Sequence, residues 1–449
     1  MITKFVNRGF ELDALNEAYK KPGFHFTPFY GRRRIGKTEL IKQFITDKPH
    51  IYFLATEGTE KENIVNFKHA AKKIIDLDIV KDDFEEIFKY ITQQVTKKMI
   101  IVIDEFPFLT KANKTTSSLF QHIIDEHLSK TNLFLIVCGS SVGMMYKEVL
   151  GYKAPLYGRG TGQIELHPFK FQDVQTLLNK PIEECIQIYG ICGGVPFYLK
   201  EFTEKKEFFQ LIKEKVLSQG AILNKEAIFL LREELDEISR YASILAAIAL
   251  GHTKLGEIMN HCGFKEKLNI APYLHVLERL EIIEKETPIL SPKTSRGVYK
   301  IKDQFFNFYF RFIRPNESMI ENNMNEVITT IKTEYPQYLG KIFEQIAKEL
   351  IRKKHPSTTR GSWWHNGEEI DLVALNENTK EIVFFECKWK NLPYTQSLTI
   401  LKELQEKAES VAWQNQKRTE HYGLIAKTIE RKNDLKKQGF YVYDLKDWM

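Results

Sequence analysis

The residues best suited to chemistry lie in one short run, Gly31-Arg32-Arg33-Arg34-Ile35-Gly36-Lys37-Thr38. It fills every fixed position of the pattern G-x-x-x-x-G-K-[ST]. The glycines let backbone N–H groups curl round phosphate oxygens, and Lys37 sets a cation against the β and γ phosphates. Thr38 offers a hydroxyl to Mg²⁺, and the helix that must follow turns its positive dipole end toward the anion. A second set stands in Ile100-Ile101-Val102-Ile103-Asp104-Glu105. There an apolar strand delivers Asp104 at its C-terminal end, where doubly wound sheets place ligand chemistry. Asp104 is expected to hold Mg²⁺ through water, and Glu105 to polarise the attacking water, because phosphoryl transfer is mostly positioning plus electrostatics. ATP and Mg²⁺ are the cofactors these residues imply.

Three weaker signals accompany them. Ser140 and Ser141 end the next apolar strand and suit either a γ-phosphate sensor or a helix N-cap. Arg159, in Tyr157-Gly158-Arg159-Gly160-Thr161, suits an arginine finger or a surface or interdomain role. Gly193-Gly194-Val195-Pro196 on its own reads as a turn.

A separate constellation stands near the C-terminus. Glu386 and Lys388 are two apart in Ile382-Val383-Phe384-Phe385-Glu386-Cys387-Lys388 and therefore share a strand face. Asp371 opens the preceding strand, and Glu344 lies on the helix before it. Carboxylates converging with a lysine bind Mg²⁺ and activate water for phosphodiester cleavage, with Glu344, Asp371 and Glu386 on the metal. The ordered set resembles the PD-(D/E)xK nuclease superfamily. E-x-K alone says nothing, since Glu204-Lys205-Lys206 shows it too. The alternative is a nuclease-like fold that docks without cutting.

The elements that must hold these residues follow from the hydrophobic pattern. Phe24–Tyr30, Ile51–Ala55, Met99–Ile103 and Leu133–Cys138 are apolar runs that alternate with helical stretches at Glu39–Thr46, Glu60–Asp78, Asp82–Lys97 and Ser117–Leu128. Such alternation predicts a parallel sheet covered on both faces. Pro28 lacks a ladder donor, so the first strand is expected to be short or irregular there. Helices at Ile238–Leu250, Leu255–Cys262 and Ile270–Leu280, then strands at Ile282–Lys285 and Gly297–Ile301, match a winged-helix module. Lys254, Lys265, Lys267, Lys293, Arg296 and Lys300 place positive charge there, suited to phosphate contacts with DNA. The aromatic run Phe305–Phe312 reads as packing. Beyond it come a helix at Leu339–Lys353, strands at Gly361–His365, Glu369–Leu375 and Ile382–Trp389, a helix at Thr395–Gln414 and a strand at Tyr422–Ala426.

Composition bounds the rest. The 449 residues are 43% hydrophobic and 28% charged, a normal globular balance for which disorder is not the default reading. A chain of this length predicts roughly two to four domains. The longest apolar runs, such as Tyr241–Leu250, are too short to span a bilayer, and Met1–Leu12 carries charge where a signal peptide needs an apolar core. The five cysteines (Cys138, Cys185, Cys192, Cys262, Cys387) show no metal spacing. A soluble cytoplasmic protein with reduced thiols is expected. Its net charge of +6 permits a nucleic-acid partner without demanding one.

Several phrases together carry a family resemblance: Phe5-Val6-Asn7-Arg8 with Glu11-Leu12, Tyr30 through Leu40 with its triple arginine, Asp104-Glu105-Phe106, and Gly158-Arg159. The chain resembles the archaeal-type P-loop ATPases, which are related to the AAA+ and STAND proteins. The resemblance implies an ATPase whose nucleotide contacts come from Gly31, Arg32, Arg33, Arg34, Ile35, Gly36, Lys37, Thr38 and Glu39, with Asp104. It also implies that the Gly-Gly-Val-Pro element is a lid motif, bringing Pro196 to the nucleotide. The catalytic set is then Lys37, Glu105 and Arg159, and, in the nuclease-like domain, Asp371, Glu386 and Lys388. The implied fold is α/β: a P-loop core over 1–165, a helical lid over 166–235, a winged helix over 236–315 and a restriction-endonuclease-like domain over 316–449. Expected partners are ATP and DNA, with a second copy of the chain as a further possibility and no membrane.

Overall fold

The computed structural model describes residues 7–264, 269–290 and 297–448. Phe5, Val6, Lys265, Lys267, Lys293 and Arg296 lie outside the described residues. The chain divides into two compact units. The first comprises Met1–Phe169, Gly194–Lys200 and Ile228–Asp236, and the second comprises Lys170–Gly193, Glu201–Ala227 and Glu237–Met449.

Five parallel strands form the centre of the first unit: β1 (His25–Tyr30), β2 (His50–Leu54), β3 (Met99–Asp104), β4 (Leu133–Gly139) and β5 (Ile164–Glu165). Their order is β2-β3-β4-β1-β5. β3 and β4 are buried along their whole length because helices cover both faces. Phe26, Ile101, Ile103 and Val137 pack on one side, and Phe29, Ile100, Val102 and Ile136 on the other.

The expectation of an irregular first strand is corrected. β1 runs unbroken, and Pro28 stands opposite Val137 of β4. Phe26 and Tyr30 turn their carbonyls away from β4, accepting from the N–H groups of Thr161 (2.9 Å) and Leu166 (2.8 Å). Pro28 lies midway between them, so its nitrogen faces that same side. β5 begins only at Ile164, and no ladder donor is demanded of the proline. The helix expected over Glu60–Asp78 is also shorter. It spans Glu60–Ala71, opened by a Thr59/Glu62 capping box. Asp76 then accepts from the Asp78 N–H at 3.0 Å, a local turn that competes with helix.

The second unit holds three helices, Ile238–Ala249, Leu255–His261 and Ala271–Arg279, followed by an antiparallel pair, β6 (Ile283–Glu286) and β7 (Val298–Ile301). The rings of Phe305–Phe312 are buried. A long helix, Glu317–Lys354, kinks at Asn323 and contains the stretch expected at Leu339–Lys353. Five more strands close the fold: β8 (Thr359–His365), β9 (Glu368–Asn376), β10 (Glu381–Leu392), β11 (Thr419–Ile429) and β12 (Tyr441–Tyr443). They form a mixed sheet, antiparallel from β8 to β10 and parallel from β10 to β12. Residues 170–193 belong with this unit because Tyr335 and Tyr338 of the long helix donate to the carbonyls of Gln187 (2.6 Å) and Gly190 (2.8 Å). The segment expected to form a separate lid is therefore divided between the two units. Among the described residues no helix is long and apolar enough to cross a membrane.

Candidate functional site

The phosphate loop joins β1 to the helix Lys37–Ile45. Gly31 sits at φ +146°, and a Cβ there would come within 2.4 Å of the Leu166 carbonyl oxygen, so the loop's first position tolerates only glycine. Gly36 caps the helix at φ +90°. Lys37 is buried, and its ammonium donates to the carbonyls of Gly31 and Arg32, both at 2.8 Å. Burial pushes its pKa down from the usual lysine value, against the pull of neighbouring Glu105 and Asp104. Arg8 braces the loop from below: it donates to the Ile35 carbonyl at 3.3 Å and lies over the Phe169 ring at 4.4 Å.

Strand order brings the other groups in. β3 ends on Asp104, whose Oδ2 accepts from the Thr38 hydroxyl (2.9 Å) and the Tyr52 hydroxyl (2.6 Å). Burial, then the Asp104 carboxylate, raises the Tyr52 pKa, so the phenol stays protonated as a donor. β4 lies between β1 and β3, so Ser140 at its end reaches Glu105. Glu105 Oε2 accepts from the Ser140 hydroxyl (2.8 Å) and N–H (3.2 Å). Glu105 itself holds φ +55°, a left-handed conformation that costs a non-glycine residue about 1–3 kcal/mol. Ser141 caps the helix Val142–Met145, accepting from the Met144 N–H at 3.3 Å, and donates to Glu234 at 2.9 Å.

Two further segments reach the loop. Arg34 stacks on the Phe197 ring at 4.2 Å, which ties the loop to the helix Pro196–Glu201 that Pro196 opens. Gly194 is held against Phe169, whose N–H donates to the Gly194 carbonyl at 2.8 Å. From the helix Glu226–Glu234, Glu233 binds Arg33 at 2.8 Å. Burial raises the neighbouring Glu234 to a pKa of about 7, with Ser141, Arg33 and Lys37 pulling the other way.

In the second unit, β9 and β10 set Asp371 beside Glu386 and Lys388. Asp371 Oδ2 accepts from the Cys387 N–H (2.8 Å) and from Lys388 (3.2 Å). Lys388 also contacts Glu386 Oε2 at 2.5 Å, while Lys407 of the helix Tyr394–Ala408 takes Oε1 at 2.8 Å. On the Asp371 side, Glu344, Glu369 and Asp371 bring one carboxylate oxygen each within 4.8 Å of the others. Burial and then Asp371 raise the Glu344 pKa to about 7. Burial also disfavours charge on Asp371, but Lys388 and the hydrogen bonds from its surroundings hold its carboxyl below the usual value.

Residues 5–202 match the model of an ATPase domain predominantly from Archaea, and residues 309–402 match a family of archaeal and bacterial proteins of unknown function. An uncharacterized protein of Methanocaldococcus jannaschii is 41% identical over 454 residues, covering 99% of this chain and 100% of its own length. The chain belongs to the archaeal-type P-loop ATPases. An uncharacterized ATP-binding protein of the same organism is 45% identical over 47 residues, 10% of this chain and 80% of its own. The Walker-type ATPase of Pyrococcus abyssi shares the fold, with a TM-score of 0.53 and 22% identity over 68% of this chain and 96% of its own.

For this archaeal-type ATPase, the structure gathers Gly31 through Thr38, Asp104 and Glu105 into one site. Arg159 is placed elsewhere: its guanidinium closes on Asp125 at 2.7–3.1 Å. Glu344, Asp371, Glu386 and Lys388 converge, with Glu386 gripped by two lysines and Glu369 in the carboxylate cluster. Sequence reasoning missed Tyr52, Glu233, Glu234, Glu369 and Lys407. Glu369 alone had a signal, since it stands two residues before Asp371 on the same strand face.

Proposed function

We propose that the chain hydrolyses ATP with Mg²⁺ and applies that cycle to DNA, which its C-terminal sheet cuts in a metal-dependent reaction. In the ATPase site, Thr38 and Asp104 supply hard oxygen donors 2.9 Å apart, a donor set that suits Mg²⁺. Lys37 and the loop N–H groups hold the phosphates, and Glu105 orients the water. The observation that carries the DNA reading is the convergence of Asp371, Glu386 and Lys388, joined through Asp371 to Glu344 and Glu369. A divalent cation held there would neutralise phosphate charge and lower the pKa of a bound water. Asp371 and Glu344 would hold it, Glu369 would assist, and Lys388 would orient the nucleophile. The three helices and the β6–β7 pair read as a winged helix that contacts DNA phosphates. Lys254 and Lys300, the described members of its basic set, pair with Glu257 and Glu286.

One observation favours a second reading. Both oxygens of Glu386 are taken by lysines, Lys388 and Lys407, which suits a nuclease-like sheet kept for docking, with the chain acting as a nucleotide-controlled switch. Plasmid nicking separates the two. The nuclease reading expects cleavage by the full chain with Mg²⁺ or Mn²⁺, lost in Asp371→Ala and in Lys388→Ala while ATP hydrolysis survives. A wild type that neither gains stability with Mg²⁺ or Mn²⁺ nor cleaves DNA favours the docking reading.

A further inference from the structure

We propose that Glu85, His122 and His127 form a binding site for a late first-row divalent cation, Zn²⁺ foremost, on the flank of the parallel-sheet unit. His122 ends the helix Thr116–His122, and the next six residues, Ile123–Leu128, form a π-helical turn. In an α-helix, residues five apart point about 140° away from each other. The i→i+5 pattern, seen here in the Ser129 N–H to Ile124 carbonyl bond of 3.0 Å, brings such residues toward one face. His122 and His127 are five apart, and both turn Nε2 toward the same atom, Glu85 Oε1, at 3.2 and 3.4 Å. All three ligand atoms lie within 4.8 Å of one another.

These separations match a metal's geometry. Four ligand atoms bound at 2.0–2.1 Å in a tetrahedron stand about 3.3–3.4 Å apart. The two nitrogen–oxygen edges are already at about that length. The nitrogen–nitrogen edge lies within 4.8 Å, and the His122 side chain, 53% exposed, has room on its solvent side for the ring rotation that metal binding requires. Two imidazoles and one carboxylate suit Zn²⁺, Co²⁺, Ni²⁺ or Cu²⁺ rather than Mg²⁺ or Ca²⁺. Three protein ligands leave a fourth position for water or for a group from a partner.

The scaffold is rigid before any ion arrives. Phe84, next to Glu85, packs on Phe120 with ring centroids 5.6 Å apart, and Phe88 packs on the same ring at 5.6 Å. Asp83 accepts from the Glu85 N–H at 2.9 Å and the Glu86 N–H at 3.2 Å, which fixes the first turn of the helix Phe84–Gln94. A bound cation would clip this helix to the π-turn. The same turn carries Asp125, the residue that grips Arg159.

The test titrates metal-free full chain with ZnCl₂ while saturating Mg²⁺ masks the hard-oxygen sites. The wild type should take up one tight zinc equivalent, and zinc should raise its melting temperature. His122→Ala, at an exposed position, should keep its fold and its ATP turnover yet lose that equivalent, with affinity at least tenfold weaker. His127→Ala and Glu85→Gln should weaken it as well. Co²⁺ should give the visible absorption of a low-coordinate site in the wild type and not in His122→Ala. Equal zinc affinity in wild type and His122→Ala, or no stoichiometric uptake by the wild type, overturns the proposal and leaves a surface His–Glu hydrogen-bond cluster.

Discussion

Lys37 and Glu234 show how burial sets the chemistry of single residues. Lys37 is a buried cation whose hydrogen bonds run to loop carbonyls, and phosphate oxygens are stronger acceptors than those carbonyls. Lys37→Ala should therefore weaken ATP binding by roughly 100-fold or more, about 3 kcal/mol, as measured by titration with a fluorescent nucleotide. Glu234 makes a pH-dependent contribution. Burial raises its folded pKa from the usual glutamate value of about 4.5 to about 7. The fold thus favours the protonated form, and that stabilisation is full below about pH 4.5 and lost as pH rises through about 7. Glu234→Gln stays neutral, so its melting temperature relative to wild type should climb between pH 5 and pH 8 in nucleotide-free buffer. A constant difference would show that Glu234 does not titrate in this range. Neither Glu233 nor Glu234 was legible in the sequence. Each is an ordinary acidic residue at a helix end, and only the tertiary fold carries that end to Arg33 and Ser141. The phosphate loop was legible because its spacing encodes a backbone requirement, as Gly31 at φ +146° shows.

Elements were legible where periodicity and burial agreed. β3 and β4 follow their apolar runs because helices cover both faces. Pro28 misled because a single strand cannot reveal which neighbour its missing N–H faces; that depends on where β5 starts. The lid boundaries were not legible either, because Tyr335 and Tyr338, far along the chain, bind residues 187 and 190. The junction at Gly194 gives a sharp test at this scale. A Cβ there would lie 1.8 Å from the Phe169 carbonyl oxygen and 2.5 Å from its nitrogen, both backbone atoms that cannot turn aside. Gly194→Ala should cost about 4 kcal/mol or more, seen as a large fall in the denaturation midpoint. A fall within the scatter of ordinary surface variants would mean that the Phe169–Gly194 contact is not a close one. The same variant should loosen Phe197 from Arg34, so any residual folded protein should bind nucleotide less well.

At the scale of the molecule, one chain carries an ATPase unit and a unit bearing a mixed sheet with clustered carboxylates. If the second unit meets DNA through phosphates, binding should weaken steeply with salt, the logarithm of the affinity falling linearly with the logarithm of salt concentration. Filter binding or anisotropy across a salt series reads this directly. Salt-independent binding, or none at low salt, would point to a protein partner instead. The C-terminal constellation was half legible: strand spacing exposed Asp371, Glu386 and Lys388, but not Lys407, which arrives from a different helix. The ATPase reading proposed above gives Glu105, the carboxylate that Ser140 holds beside the phosphate loop, the task of orienting the attacking water. Steady-state ATP turnover of Glu105→Gln, with nucleotide affinity measured in parallel, tests it most directly. The amide keeps the shape but is a poor base, so affinity should stay near wild type while kcat falls by roughly 10²–10⁴-fold. Wild-type turnover in Glu105→Gln would contradict the account.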